Sequence, residues 1–260
     1  MSPLAPLHAI DGFWPLFRLF DIVIPTYYPI ISLSFSLCLF WLAKRARDQD
    51  FEMRLVFDLF ILTLISGFLG ARLFHVFFED FEFYKLNPLE ILKFWNGGFV
   101  FYGGAIAAFV CGTMLLRFQR YAVGPLLNLV APVAALGYAL GRIACFVTGC
   151  CFGASCDLYP GFSFRHPTQL YAVLIEFVIL AVLLKFERLA AISKNSPWRG
   201  ISGAVFCLWL ILHSLGRLFM EALRADPRGP MPLSVSISSW ISIFILISTA
   251  SYLRIQFKKK

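Results

Sequence analysis

Charged residues are scarce in this chain. Asp, Glu, Lys and Arg together account for 15% of the 260 residues, whereas apolar residues account for 59% and the mean hydropathy is +0.76. Soluble domains contain about 25% charged residues, so this composition excludes a water-soluble fold and predicts a membrane protein. The net charge of +8 is therefore interpreted relative to a membrane, and we expect no nucleic-acid partner.

The sequence also lacks a secretory cleavage pattern, so we expect the amino terminus to be retained. It contains no evident internal repeat or low-complexity tract. Apolar runs of about 20 residues can cross a bilayer as helices. The predicted spans are Ile22 to Ala43, Leu55 to Phe78, Phe99 to Leu116, Pro125 to Val147, Gln169 to Phe186, Gly200 to Leu223 and Leu233 to Leu253. They predict an all-α integral membrane protein with a bundle of about seven transmembrane helices, in which residues 1–260 form one polytopic domain.

The basic residues are unevenly divided between the two sides of these spans. If the first span runs from outside to inside, most of the 23 Lys and Arg residues lie on the cytoplasmic side, including the carboxyl-terminal FKKK. Cytoplasmic segments of membrane proteins carry an excess of Lys and Arg. This distribution predicts an amino terminus outside and a carboxyl terminus in the cytoplasm.

The cysteines do not form the pattern of a complete disulfide framework. There are seven, an odd number, and most lie in apolar sequence. We expect three of them to be small packing residues inside spans: Cys38, Cys111 and Cys207.

The remaining cysteines leave three interpretations open. Cys150 or Cys151 could form a disulfide with Cys156 in an oxidising compartment, or these thiols could be reactive. A zinc site would draw on Cys145, Cys150, Cys151, Cys156 and His166, but the spacing is irregular and contains no CxxC pair. We therefore assign neither a metal nor a cofactor.

Three arginines remain within the predicted spans: Arg72, Arg142 and Arg217. An arginine in the middle of a bilayer costs about 2.5 to 3.5 kcal/mol, so each requires a compensating partner. All three lie in the outer halves of helices that run outward, and a guanidinium group pairs bidentately with phosphate oxygens. The pattern favours an anionic phospholipid as ligand. The alternative is that they snorkel or pair with Glu79, Glu176 or Glu221.

Five segments resemble, in order, those of the prolipoprotein diacylglyceryl transferase family. They are GARLFHVFFED, NPLEILKFWNGGFVFYGGAIAA, LGYALGRIACFVTGCCFG, RHPTQLYA and HSLGRLFMEALRADP. The resemblance implies a multi-pass enzyme of the bacterial inner membrane. It would transfer the diacylglyceryl group of phosphatidylglycerol to the lipobox cysteine thiol of a prolipoprotein and release glycerol phosphate. The alternatives are a divergent paralogue with another acceptor and a non-catalytic lipid-binding or thiol-redox membrane protein.

The resemblance also implies roles for individual residues. Arg142 and Arg217 would hold the phosphodiester and stabilise the departing glycerol phosphate. Tyr102 stands where the family has a histidine, so His75 or His213 becomes the alternative acceptor of the thiol proton. The predicted catalytic residues are Arg142, Arg217, Tyr102 and His75.

The remaining predicted site residues would bind substrate. Cys145 and Cys150 replace an asparagine and the glutamate of the family signature, within a retained frame that includes Gly153. Arg217, Glu221 and Arg224 have the spacing of an intrahelical ion-pair ladder. The complete predicted binding set is Arg72, Tyr27, Tyr28, Gly103, Gly104, Cys145, Cys150, Gly153, His166, Gln169, His213, Glu221 and Arg224.

Overall fold

The computed structural model describes residues 16–19, 22–94, 97–159, 162–192, 198, 200–224 and 235–259. Within them, seven helices are long and apolar enough to cross a membrane, which confirms the predicted fold class. The helices are α1 (Tyr27–Asp48), α2 (Met53–Phe74), α3 (Phe81–Leu86), α4 (Phe101–Phe118), α5 (Val123–Val147), α6 (Thr168–Ile192), α7 (Ala204–Glu221) and α8 (Ile237–Lys258). The short α3 does not span, and a π-helical turn, His75–Glu79, extends α2.

Two short antiparallel hairpins accompany the helices. Strand β1 (Leu16–Leu19) pairs with β2 (Ile22–Pro25), and β3 (Ser155–Tyr159) pairs with β4 (Phe162–Arg165). The first span therefore begins at Tyr27 and not at the predicted Ile22, because a short apolar run has no periodicity that separates strand from helix. The last helix extends to Lys258, and its predicted start at Leu233 falls outside the described ranges.

The chain divides into two compact units, of which the second comprises Trp41–Leu126. In this unit, α2 and α4 pack through glycines. A Cβ atom on Gly70 would lie 2.3 Å from the Cβ of Ala107, and one on Gly104 would lie 2.7 Å from the carbonyl oxygen of Gly67. Small residues allow two helix backbones to approach this closely, so the α2–α4 contact depends on them.

The first unit comprises Met1–Phe40 and Leu127–Lys260. Its buried apolar side chains join α5, α6 and α7 through Ala131, Ala135, Ile179, Leu183 and Val205. Helix α8 is joined to α7 through Leu253 and Cys207. Cys38 is also buried, and its thiol faces the carbonyl oxygen of Val133 at 3.9 Å. Both Cys38 and Cys207 are thus packing residues, as the sequence predicts.

The start of α7 receives a cap from α5. Gly203 precedes α7 in a left-handed conformation and provides no side chain to accept from the first amides. Asn128 of α5 does so instead, because its Oδ1 accepts hydrogen bonds from the backbone N–H of Val205 at 2.9 Å and of Phe206 at 3.3 Å. Unpaired amides are costly inside a membrane, so this contact fixes where α7 begins against α5.

Candidate functional site

Arg72 lies in α2 and is surrounded by backbone carbonyl groups. Its Nε donates to Ile91 and its two terminal nitrogens donate to Glu90, Lys93, Gly97 and Gly98. A guanidinium group has five N–H donors, and five carbonyl oxygens receive them. The group is 6% exposed and also stacks near the ring of Tyr84 at 5.2 Å. All five donors of Arg72 thus go to carbonyl oxygens, an arrangement that stabilises the fold, and its predicted ligand role stays a prediction.

Arg217 lies in α7 beside an acidic partner. Its Nη2 is 3.5 Å from Glu221 Oε2, one helical turn later, which confirms the predicted i,i+4 pair. Ser238 of α8 bridges the two, because Arg217 Nη2 donates to its Oγ at 3.1 Å and that hydroxyl donates to Glu221 Oε2 at 3.1 Å. The charge of Arg217 is thus compensated, and its orientation is fixed by two helices.

Arg142 lies in α5 and has a neutral partner. Its Nη2 donates to the Tyr138 hydroxyl at 2.7 Å, and its guanidinium group lies 4.8 Å from the centre of the same ring. No carboxylate among the described residues forms an ion pair with it. Among the described residues, Arg142 has neither the carboxylate partner of Arg217 nor the full shell of carbonyl groups of Arg72.

A histidine and a glutamate form a pair beside Arg217. His213 Nδ1 contacts Glu176 Oε1, which joins α7 to α6, and the Glu176 side chain is almost fully buried. The His213 ring packs edge-on against Tyr138, with ring centres 4.7 Å apart. Tyr138 thus contacts His213 on one side and Arg142 on the other.

The same residues line a narrow pocket that is partly open to the surroundings. Its lining includes Tyr138, Glu176, His213, Gly216 and Arg217. The second oxygen of Glu176, Oε2, is buried and has no hydrogen-bond partner within the described part of the chain. Beside the pocket that His213 and Arg217 line, Glu176 therefore has a buried acceptor that no described residue pairs with.

The turn after α5 is held by the beginning of α6 and the end of α7. Gly153 donates its N–H to the carbonyl oxygen of His166 at 2.8 Å and forms an isolated β-bridge with Arg224. A Cβ atom on Gly153 would lie 2.5 Å from the carbonyl oxygen of Leu223. Gly153 is therefore required for close backbone approach, which agrees with its place in the part of the family signature that this chain retains.

Three cysteine thiols meet at this turn. The sulfur atoms of Cys145, Cys150 and Cys151 all lie within 4.8 Å of one another, and the three cysteines are free. The Cys150 and Cys151 sulfur atoms are 3.5 Å apart. Hydrogen bonds from the other two thiols, with the positive charges of Arg142 and Arg224, lower the pKa of the Cys151 thiol. The side chain of Cys156 lies outside the described part of the chain, so the disulfide of Cys156 with Cys150 or Cys151 stays a prediction.

Three further predicted site residues, Gln169, His166 and Tyr27, interact with this turn. Gln169 is 1% exposed, and its Nε2 donates to the carbonyl oxygen of Cys150. The Nδ1 atom of His166 lies 3.4 Å from the hydroxyl oxygen of Tyr171. Tyr27 and Tyr28 are exposed at the start of α1. Tyr27 is also close enough to Arg142 and the three thiols to interact with them electrostatically.

The other predicted residues belong to the second unit. His75 Nδ1 pairs with Glu79 at 2.7 Å, and a Cβ on Gly98 would lie 2.5 Å from His75 Nε2. Gly103 and Gly104 are buried in the α2–α4 contact, which accounts for both by packing. Tyr102 lies in the first turn of α4, against the edge of Phe101.

Sequence reasoning missed Tyr138, although it had the signal to find it. Tyr138 precedes Arg142 by four residues, so the two share one face of α5. Ser238 is different, because it reaches the Arg217–Glu221 pair from another helix, 17 residues after Glu221. No local pattern in the sequence indicates that contact.

Comparison with known proteins gives consistent matches over most of the chain. Residues 15–255 match the profile of the family described as prolipoprotein diacylglyceryl transferase. A phosphatidylglycerol--prolipoprotein diacylglyceryl transferase of Clostridium tetani is 33% identical over 243 residues, which cover 89% of this chain and 93% of that protein. A protein named phosphatidylglycerol--prolipoprotein diacylglyceryl transferase 2, from Clostridium perfringens, is 31% identical over 88% of this chain and 90% of its own length. A similarly named Rhodospirillum rubrum protein is 31% identical over 80% of this chain and 78% of its own length.

Proposed function

The chain belongs to the prolipoprotein diacylglyceryl transferase family, and from this we propose that it transfers the diacylglyceryl group of phosphatidylglycerol to the lipobox cysteine of a prolipoprotein. The relatives' names supply both substrates. Its seven spans and its bacterial relatives support a multi-pass protein of the bacterial cytoplasmic membrane. The bilayer thus brings phosphatidylglycerol to the protein, and no cofactor is needed for the transfer.

The observation that carries this proposal is that Arg142 has no carboxylate partner among the described residues. A guanidinium group inside a membrane span requires an anionic partner, and the described residues provide only the neutral Tyr138 hydroxyl. The phosphodiester of phosphatidylglycerol supplies that negative charge in a geometry that matches the guanidinium fork. Arg142 is thus the proposed phosphate ligand.

The transfer itself is a displacement at a glyceryl carbon. The lipobox sulfur forms a bond to that carbon, and the bond from the carbon to the phosphate oxygen breaks, which gives a thioether and glycerol phosphate. The phosphate oxygen gains negative charge as it departs, so a fixed arginine stabilises the transition state more than the ground state. The thiol proton must move to a base before or during the attack.

His213 is the proposed base. Its Nδ1 pairs with the buried carboxylate of Glu176, which leaves Nε2 as the ring nitrogen able to receive a proton. Tyr138 places this ring next to the phosphate ligand, because it contacts both His213 and Arg142. The His213–Glu176 pair thereby supplies a histidine base in a chain that has Tyr102 at the position of the family's histidine.

The free oxygen of Glu176 supports a substrate donor in the same pocket. Oε2 is buried without a partner among the described residues, and a buried acceptor left unpaired costs about 1 to 3 kcal/mol. A hydroxyl of the phosphatidylglycerol headgroup would complete its hydrogen bonding. Arg217 in the same lining can then contact the phosphate from the second side.

The test is a product assay on the purified full chain with labelled phosphatidylglycerol and a lipobox peptide. Arg142→Gln should lower the rate of thioether formation about 10²-fold or more, because it removes the fixed charge at the departing oxygen. Arg142→Lys should also lose activity, since lysine keeps the charge but not the bidentate fork. Arg254→Lys, on the exposed surface of α8, is the matched control and should keep full activity. Full activity of Arg142→Gln would contradict the role of Arg142.

A further inference from the structure

The transfer reaction leaves three convergent thiols without a role. Cys145, at the end of α5, and Cys150 and Cys151, in the turn that follows, have sulfur atoms within 4.8 Å of one another. The acceptor thiol belongs to the prolipoprotein, so the proposed mechanism uses none of the three. Their convergence at one point therefore requires a separate explanation.

The spacing of the sulfur atoms suits a metal ion. Thiolates bind Zn²⁺ at about 2.3 Å, so ligands arranged in a tetrahedron or a triangle around one ion have sulfur atoms about 3.8 to 4.0 Å apart. The observed limit of 4.8 Å and the 3.5 Å between Cys150 and Cys151 bracket that value. Small side-chain adjustments would bring all three sulfur atoms to one ion.

The backbone is shaped so that the thiols converge. Gly149 and Cys151 have φ values of 71° and 65°, and the left-handed region is unfavourable for a residue with a Cβ atom. This conformation is held from outside, because Thr168 donates to the Cys151 carbonyl oxygen at 2.8 Å and Gln169 donates to that of Cys150. The turn is thus preorganised by α6 around the sulfur atoms.

The surrounding charge also suits bound thiolates. Three thiolates carry three negative charges. Their complex with a divalent cation therefore has a net charge of −1, and their complex with a monovalent cation has a net charge of −2. Arg224, which the proposed transfer does not use, acts electrostatically on Cys151. Its positive charge stabilises such an anionic complex.

A disulfide explains the cluster less well. Cys150 and Cys151 are adjacent, so a trans peptide bond fixes their Cα atoms about 3.8 Å apart, shorter than the usual separation in a disulfide of about 4.4 to 6.8 Å. Cys145, Cys150 and Cys151 are free thiols in the structure. A metal ion engages all three sulfur atoms, whereas a disulfide engages two.

We propose that Cys145, Cys150 and Cys151 form a three-thiolate binding site for a closed-shell thiophilic cation, Zn²⁺ or Cu⁺. Binding releases the thiol protons and forms three metal–sulfur bonds, with no change in oxidation state. Because the ligands come from the end of α5 and from the next turn, the ion ties that turn to the helix that carries Arg142. The site is a structural one in this assignment, separate from the transfer chemistry.

The test measures metal binding by the reduced, metal-free full chain in detergent, without transferase substrates. Cd²⁺ serves as the spectroscopic probe for Zn²⁺, and it should give the ultraviolet charge-transfer band of thiolate–Cd²⁺ bonds at one ion per chain. Zn²⁺ and Cu⁺ are then titrated separately in competition with a chromophoric chelator. The cation that the protein keeps in this competition is the one that the site prefers. Cys145→Ser, Cys150→Ser and Cys151→Ser should each weaken binding at least tenfold. Cys111→Ser, on α4, is the matched control and should bind as the native chain does.

A second measurement needs no variant and so does not depend on variants that fold. In the native chain, a bound ion should protect Cys145, Cys150 and Cys151 from alkylation together, as read by peptide mass spectrometry. The absence of stoichiometric binding, or binding that all three serine variants retain, would overturn the proposal. A Cys150–Cys151 disulfide in the chain purified without reductant would also overturn it. Because no lipid or peptide substrate is present, these outcomes leave the proposed transferase activity unaffected.

Discussion

The arginines within the spans show that the same residue type can serve different purposes a few helices apart. Arg72 is saturated by carbonyl groups, Arg217 is neutralised by Glu221, and Arg142 has a phenol as its partner. The cost in a membrane is similar for all three, so the identity of the partners distinguishes Arg72, whose five donors all go to carbonyl oxygens, from Arg142, the proposed phosphate ligand. The hydrogen-bond partners of an arginine therefore indicate whether it can bind a ligand, whereas its position within a span does not.

Replacement of Arg72 tests its structural role. Arg72→Lys reduces five donors to three, so two buried carbonyl groups lose charge-assisted hydrogen bonds worth about 1.5 kcal/mol each. We expect a loss of about 3 kcal/mol in the free energy of unfolding, measured by denaturation in detergent. Phosphatidylglycerol affinity, measured below the unfolding temperature, should be unchanged. Weaker lipid binding by a variant of native stability would support the predicted ligand role.

Replacement of His213 tests the base. His213→Gln keeps a polar side chain beside Glu176 but cannot accept the thiol proton, so the turnover number should fall about 10²- to 10⁴-fold while phosphatidylglycerol affinity is retained. Glu176→Gln should reduce turnover less, since it removes only the group that orients the ring. The measurement is the product assay, run beside a phosphatidylglycerol-binding measurement on each variant.

Parallel substitutions distinguish the other candidate bases. His75→Gln and Tyr102→Phe remove the proton-accepting groups in the second unit. If either of these, and not His213→Gln, abolishes turnover in a folded protein, the assignment of the base to the His213–Glu176 pair is wrong.

Residue-level prediction from the sequence succeeded where the partners are close along the chain. The Arg217–Glu221 pair follows from helical spacing, and the structure confirms it. The shell around Arg72 does not follow, because its carbonyl groups lie 18 to 26 residues away in a segment with little regular structure. The sequence left a cluster of these thiols open as one of three alternatives, because their convergence depends on the left-handed φ of Cys151 and does not follow from the ligand spacing.

At the scale of elements, α2 and α4 provide a comparison of two glycines on one helix. A Cβ on Gly70 would lie 2.3 Å from Ala107 Cβ, whereas one on Gly67 would lie no closer than 3.6 Å to the atoms around it. Gly70→Ala should therefore lower the free energy of unfolding by about 1 to 3 kcal/mol through overpacking. Gly67→Ala should be neutral or slightly stabilising, because alanine is the better helix former. Thermal unfolding of both variants in detergent checks the pair, and equal stabilities would contradict the tight α2–α4 contact.

The elements themselves were predicted in number and order from the apolar runs. Their ends were less well predicted, and the clearest example is residues Ile22–Pro25, which form a strand. Apolar content is the same for a strand and a helix, and the pairing with Leu16–Leu19 decides between them. Likewise, α7 begins at Ala204 and not at the predicted Gly200, where Gly200 and Gly203 have positive φ values.

At the scale of the whole molecule, the distribution of basic residues predicts the direction of the chain across the membrane. With the amino terminus outside, the exposed Cys150 faces the outer side and Lys259 faces the cytoplasm. A chain with Cys150 as its single cysteine should react with a membrane-impermeant maleimide in intact cells. The matched cysteine-free chain that carries Lys259→Cys should react only after lysis. The reverse pattern would show the opposite orientation.

Composition was sufficient for the membrane class, since 15% charged residues cannot cover the surface of a soluble protein of this size. The functional family was predicted from five ordered segments, and the family match over residues 15–255 confirms it. What composition and motifs do not specify is the pairing of His213 with Glu176, which are 37 residues apart on different helices.

The cap that Asn128 provides for α7 has a consequence for biosynthesis. The ribosome makes α5 before α7, so the amide oxygen that pairs with Val205 and Phe206 is already in the membrane when α7 emerges. Helix α7 carries His213 and Arg217, and it completes its first hydrogen bonds only when it docks on α5. The proposed catalytic helix is therefore finished by an earlier part of the same nascent chain, and its assembly follows the order of synthesis.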